Sequence, residues 1–238
     1  MCNGDEMSLA GLVVTYNSEN RIGTLLRSMR LFCDEVVVVV DEKTTDGTFD
    51  ICKELADQVV KWNVPLGMSL AVKEEAFSLP KSEWTICLDD DELISEAILD
   101  HRNGIIKATD DISHFLLPLY SLVSDEKHYI SSPPLWIQYV PCVFRKGMAI
   151  QEAKLLHHPL SAKEGKGVFH FPVRIFHYKF LLRGREEREK RWEEMKVKPC
   201  YMDVEFFRQF YLYEDYHFNI GTIPEKPLLA EGDGGYLK

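Results

Sequence analysis

The chain has no pair of cysteines close enough to clip a metal ion or staple a small fold. Its six cysteines, Cys2, Cys33, Cys52, Cys87, Cys142 and Cys200, are scattered through 238 residues without a CxxC spacing. That argues against a cysteine-built zinc site. Cys52 falls on the apolar face of an expected helix and Cys87 inside an expected strand, so both read as buried, reduced thiols. Basic residues are also in deficit: 28 Lys and Arg against 38 Asp and Glu give a formal charge of −10. A general nucleic-acid binder needs a net basic face to displace counterions, so that class is set aside. No apolar run reaches the length of a bilayer span. The opening MCNGDEMSLAGLVV lacks the basic start and long apolar core of a secretory signal. The expectation is a cytoplasmic chain, at most peripheral to the inner face of a membrane. Internal repeats and low-complexity linkers are missing too, which leads to one domain over 1–238.

What is present alternates. LAGLVVTY, from Leu9 to Tyr16, is a short Val-rich run, after which Ile22, Leu25, Leu26 and Met29 recur at helical spacing. EVVVVV, from Glu35 to Val40, carries five valines without polar alternation, the mark of a strand buried on both faces. Asp41 ends it, and EKTTDGT leads into a helix with Phe49, Cys52, Leu55 and Ala56 on one face. VVKW (Val59 to Trp62) and WTICL (Trp84 to Leu88) read as further strands, with helices over 69–78 and from Leu93 to Lys107. Strands joined by helix-length crossovers predict an α/β fold with a mostly parallel central sheet and helices on both faces. Beyond residue 110 the rhythm changes. SHFLLPLYSLV, PPLWIQYVPCVFRK and HFPVRIFHYKFLL read as strands joined by loops, giving a mixed, partly antiparallel second half. RGREEREKRWEEMKVK, from Arg183 to Lys198, reads as a solvated, charge-laced helix, and EGDGGYLK as a frayed tail.

In an open α/β sheet, ligands bind at the carboxyl ends of the strands near the reversal of strand order. Three polar clusters fall at such ends: Thr15-Tyr16-Asn17, Asp41-Glu42 and Asp89-Asp90-Asp91-Glu92. Asp41 can simply terminate a strand, or it can accept hydrogen bonds from a ribose or a nucleobase. The acidic run has two readings as well. Aspartates at a helix N-terminus cap free N–H groups and favour the dipole, by roughly 0.3–1 kcal/mol each. A contiguous set behind a buried strand is better explained by a hard divalent cation, since Mg²⁺ and Mn²⁺ take carboxylate oxygens together with substrate phosphates.

VVTYNSENRIGTLLRSM, DEVVVVVDEKTTDGTFDICKEL and WTICLDDDELIS, in that order, resemble the family 2 glycosyltransferases of the GT-A fold. The likeness is greatest to the bacterial subgroup that builds lipopolysaccharide cores and cell-surface glycans. It covers about residues 9 to 100 well and the remainder loosely. The resemblance implies inverting transfer of a sugar from a nucleoside diphosphate sugar, a uridine diphosphate sugar above all, to a glycan or lipid-linked acceptor, with Mn²⁺ or Mg²⁺. Residues 9–110 would form the donor half, 111–180 the acceptor half and 181–238 a helical region with a tail. Thr15, Tyr16 and Asn17 would line the nucleotide pocket and Asp41 would bond the base. Lys73 would face the diphosphate. Asp89 and Asp90 would bind the nucleotide sugar, with Asp89 also near the metal, and Asp91 would ligate the metal. His177 would lie near the metal, although taken alone it reads as a packed core residue.

There are departures from the family pattern. Lys73-Glu74 stands where Arg-Asn is common, and Leu156-His157-His158-Pro159 stands where many relatives have His-Glu. Glu152 is the candidate base, with Asp125 and Glu164 behind it. Tyr120, Tyr129, Trp136 and Tyr139 are aromatic residues able to stack on a sugar, and Arg145 and Lys146 could face an anionic acceptor. A nucleotidyltransferase is the nearest rival, but TYNSEN has no glycine for the loop such enzymes carry after the first strand. A degenerate, binding-only transferase is the other.

Overall fold

A computed structural model describes residues 8–64, 74–133, 137–150, 160–197, 203–223 and 225–237. The first four strands are β1 (Leu9–Thr15), β2 (Glu35–Asp41), β3 (Gln58–Trp62) and β4 (Trp84–Leu88), with helices α1 (Ile22–Met29) and α2 (Thr48–Leu55) between them. They pair in parallel in the order β3-β2-β1-β4. The valine run of β2 splits as an uninterrupted apolar strand should. Val36, Val38 and Val40 join Ile22, Leu25, Leu26 and Met29 of α1 in one core, while Val37 and Val39 join Leu12, Val14, Ala76 and Phe77 in another. Both faces are therefore covered, which is the environment that makes a parallel sheet stable. Gly11 lets α1 approach β1 closely; a Cβ there would sit 2.9 Å from Met29 Sδ. Cys52 and Cys87 are buried free thiols, as the sequence suggested.

The remaining elements are β5 (Glu92–Ile94), α3 (Ile98–Ile106), β6 (Ile112–Ser121), β7 (His128–Ile130), β8 (Gln138–Arg145), β9 (Ala149–Ile150), β10 (Ser161–Ala162), β11 (Lys166–Phe169) and β12 (Ile175–His177). They are followed by α4 (Lys179–Leu182), α5 (Arg185–Met195), α6 (Val204–Arg208) and β13 (Ile220–Thr222). The sheet continues from β4 through antiparallel β8 and β6, then parallel β12, and closes on antiparallel β5, with β11 beside β6. Short pairs β9–β10 and β7–β13 stand apart from it. This is the mixed, mostly parallel α/β architecture that the sequence predicts.

Three local expectations fail, each because a distant partner outweighs the local pattern. The helix expected from Leu93 does not start there. Residues 92–94 form β5 against β12, a partner far along the chain that local periodicity cannot register, and the helix begins at Ile98. The charged helix α5 is not simply solvated, because it buries Arg188, Trp192 and Met195. The tail is not frayed: Leu228 and Tyr236 are buried, and the Leu228 N–H donates to the Ile94 carbonyl at 2.7 Å. Half of the helix expected over 69–78 lies outside the described residues; of 74–78, residues 74–76 are helical.

Val38→Ala, at a fully buried site of β2, is expected to lower unfolding free energy by about 2 kcal/mol in urea denaturation. A loss near zero would contradict the two-sided burial of this strand.

Candidate active site

Because β1, β2 and β4 are parallel, their carboxyl ends share one edge of the sheet, and strand order reverses between β1 and β4. The turn after β4 holds Asp89, Asp90 and Asp91 at that reversal. The chain enters β5 after this turn, so the helix that follows in sequence does not start at these carboxylates. Their charge is balanced by side chains.

Asp90 turns inward. Thr15 Oγ1 donates to its Oδ2 at 2.7 Å, and Arg21 Nε donates to its Oδ1 at 3.0 Å. Ser18 Oγ completes the chain through Thr15 Oγ1. Burial pushes the Asp90 carboxyl above its ordinary value; Arg21 opposes the shift and the Asp91 charge adds to it. Asp91 is the better ionised of the two. Arg183 Nη1 donates to its Oδ2 at 2.8 Å, and His177 Nε2 stands 3.4 Å from its Oδ1. Burial works against ionisation here too, but His177 and Arg183 outweigh it and hold the carboxyl well below the usual range. His177 reaches this position because it pairs with Glu92 across β5 and β12. Nearby, burial lowers the Lys179 amine to about 8 against the pull of Asp91. Glu92 Oε2 accepts the Asp89 N–H at 2.9 Å and so shapes the turn.

The other strand ends meet the same edge. Asn17 takes a left-handed backbone with φ of 43°, which Asn tolerates better than most residues. Its Oδ1 accepts the Thr45 N–H at 2.9 Å, tying the loop after β1 to the loop after β2. Asp41 is buried and its Oδ1 accepts the Lys43 N–H at 3.0 Å. Tyr16 is 48% exposed and available to a ligand.

Three comparisons bear on this arrangement. A family profile described as Glycosyl transferase family 2 matches residues 12–160. The chain belongs to glycosyl transferase family 2. An uncharacterized glycosyltransferase of Rickettsia typhi is 32% identical over 130 residues, 52% of this chain and 43% of the relative. An uncharacterized protein of Mycobacterium tuberculosis is 23% identical over 246 residues, 94% of this chain and 55% of the relative. The chain thus spans about half the length of these curated relatives. Among solved structures, Staphylococcus aureus TarS aligns with a TM-score of 0.50 at 16% identity, over 86% of this chain and 44% of that one, which supports the fold. The family match includes Asp89, Asp90 and Asp91 and stops before His177 and Arg183.

The family implies a divalent cation, and the residues present fit one in part. Two adjacent ligands of an octahedral Mg²⁺, each about 2.1 Å from the ion, lie about 3 Å apart. The 3.4 Å between Asp91 Oδ1 and His177 Nε2 is close to that. Among the described residues no cluster of three His, Cys, Asp or Glu side chains could hold an ion.

The fold thus brings together Thr15, Asn17, Asp41, Asp89, Asp90, Asp91 and His177. Lys73, Glu152 and Trp136 lie outside the described residues. Arg145 does not lie at this edge of the sheet. It lies over the Trp84 ring and bonds Glu83 at the amino end of β4, while Lys146 bonds the Lys81 carbonyl. Glu164 lines a small depression with Arg145 at that same far edge. Asp125 accepts from the Lys127 and His128 amides and pairs with His128 Nδ1. Tyr120 and Tyr129 pack edge-to-face on each other, with centroids 4.6 Å apart, whereas Tyr139 is exposed beside Phe169 and Phe171. The sequence reading missed Arg21 and Arg183. The first sat one helical turn past the T-Y-N block, and the second was absorbed into a helix taken as solvated.

Arg183→Gln would leave Asp91 buried with one cation fewer, and a loss of about 3 kcal/mol at pH 7 is expected. The wild-type Asp91 pKa is depressed in the fold, so the stability it contributes is present above its unfolded value of about 4 and is lost as pH falls through the lower folded value. The stability gap between wild type and variant should therefore hold at neutral pH and close in strong acid. A gap unchanged at pH 2 would contradict the ionised pair.

Proposed function

We propose that this family 2 glycosyltransferase moves a sugar from a nucleoside diphosphate sugar, with uridine diphosphate as leaving group, to a hydroxyl of a glycan or lipid-linked acceptor, with inversion. The observation that carries the reading is a buried Asp91 carboxyl held 3.4 Å from His177 at the reversal of strand order. The buried Asp41 lies at the end of β2, along the same edge. In this reading residues 9–110 hold the donor, with Thr15, Tyr16, Asn17 and Asp41 toward the nucleoside and Asp89 toward the ribose. Asp91 and His177 would hold Mn²⁺ or Mg²⁺. When bound, the ion supplies Lewis-acid stabilisation of charge on the diphosphate.

The chain's own groups do the rest. Arg183 and Lys179 add fixed positive charge beside the acidic turn, where charge on the leaving group grows. The acceptor oxygen attacks the anomeric carbon from the side opposite the diphosphate. The bond from that carbon to the diphosphate oxygen breaks, and its electron pair stays with the diphosphate. The hydroxyl proton passes to a carboxylate base. Glu152 is the base in this proposal. The far-edge position of Glu164 and the commitment of Asp125 to its own loop both favour that choice.

Residues 111–180 would shape the acceptor site, with Tyr139, Phe169 and Phe171 as the exposed aromatic surface available to a sugar ring. No helix among the described residues is long and apolar enough to cross a membrane, and the proposed setting is glycan or lipopolysaccharide synthesis at the cytoplasmic side.

Titration calorimetry of uridine diphosphate with and without Mn²⁺ tests the donor site. Asp91→Asn is expected to weaken the Mn²⁺-dependent affinity by at least about tenfold, since even outer partners of metal ligands cost that much. Slow Mn²⁺-dependent release of free sugar from a suitable donor should accompany it in the wild type. Equal affinity in Asp91→Asn would overturn the assignment.

A further inference from the structure

The last described residues return to the acidic turn and bind it from beneath. The Tyr236 hydroxyl lies 3.1 Å from the carbonyl oxygen of Asp90 and 3.1 Å from that of Glu92, so one phenolic hydrogen is shared between two acceptors. The carbonyl between them, that of Asp91, accepts the Tyr178 N–H at 2.8 Å. The rings of Tyr178 and Tyr236 meet edge-to-face with centroids 4.8 Å apart. Three consecutive carbonyls of the turn are therefore held by two packed tyrosines.

The segment that delivers Tyr236 is itself anchored at both ends. Pro227 bridges Ser95, and the Leu228 N–H reaches the Ile94 carbonyl. Asp233 accepts from Thr24 Oγ1 at 3.2 Å and Arg27 Nε at 2.8 Å on α1. Gly235, at φ of 75°, turns the chain inward through a conformation that disfavours side chains.

We infer that Tyr236 is a positioning residue for the transfer site: the strap of residues 225–237 fixes the backbone of the acidic turn so that Asp91 is presented toward His177 without reorganisation. A buried carbonyl that loses its donor costs free energy or moves to find water. Without the hydroxyl, the Asp90 and Glu92 carbonyls flanking Asp91 both lose its hydrogen bond, and the turn between them loosens. The phenol is protonated at neutral pH and so acts as the donor. The effect on ligand binding rests on the donor-site reading above; the effect on the turn does not.

Tyr236→Phe keeps the ring against Tyr178 and removes only the hydroxyl, which separates positioning from packing. Two measurements decide. In ligand-free protein, amide hydrogen exchange over residues 89–95 should quicken by about tenfold, with β2 unchanged. In calorimetry, Mn²⁺-dependent affinity for uridine diphosphate should weaken by about tenfold, with metal-free affinity held within about twofold. Exchange over 89–95 that stays as in the wild type, or that quickens evenly along the chain, would overturn the proposal. So would an equal loss of affinity with and without metal. If the wild type binds no uridine diphosphate, the donor reading falls while the exchange result still decides the strap. Arg27→Gln, which loosens the Asp233 anchor from a half-buried position, should quicken the same 89–95 amides to a smaller extent; a response confined to α1 would contradict the strap.

Discussion

Two adjacent carboxylates in one buried turn must be neutralised, and most of this architecture answers that requirement. Asp90 and Asp91 alternate in direction, so each meets a different part of the chain. Asp90 is held by Thr15 and Arg21 from β1 and the start of α1. Asp91 is held by His177 and Arg183 from β12 and the end of α4. Breaking a buried pair costs far more than the pair contributes over an apolar alternative. The arrangement is thus explained less as a source of stability than as a way to keep ionised oxygen in place at a strand reversal.

That constraint also joins the two halves of the sheet. The parallel half ends at β4, and the acidic turn leads to β5, which lies at the far end of the sheet's strand order, beside β12. A residue of the second half, His177, comes to Asp91 only because β5 pairs with β12 in that register. The family match ends at residue 160, so both partners of Asp91 come from the part of the chain beyond it. The family match covers Asp90 with its partners Thr15 and Arg21, whereas the side chains that hold Asp91 lie beyond it.

The legibility of the sequence follows the range of the interactions. The run of five valines announced a strand covered on two faces, and the apolar spacing from Ile22 to Met29 announced α1, because both signals are local. Thr15, Asp41 and the aspartates were picked out as candidates by their position after strands, and the fold places them at one edge of the sheet. Arg21 and Arg183 were not, since an arginine before a helix, or in a run of charged residues, looks the same whether it faces water or a buried carboxylate. The helix expected from Leu93 failed for a similar reason: Leu93, Ile94 and Ile98 fit a helical stripe, and only β12 turns the first two into a strand. The tail read as frayed because it lies at the end of the sequence; Gly235, at φ of 75°, instead turns the chain toward the acidic turn.

Anomalous diffraction at the manganese edge, from crystals grown with Mn²⁺ and uridine diphosphate, tests the central claim most directly. The account predicts one strong peak bonded to Asp91 and His177, with diphosphate oxygens completing the ion's shell and Asp90 still turned toward Thr15 and Arg21. A manganese peak elsewhere, with Asp91 still closed on His177 and Arg183, would contradict it.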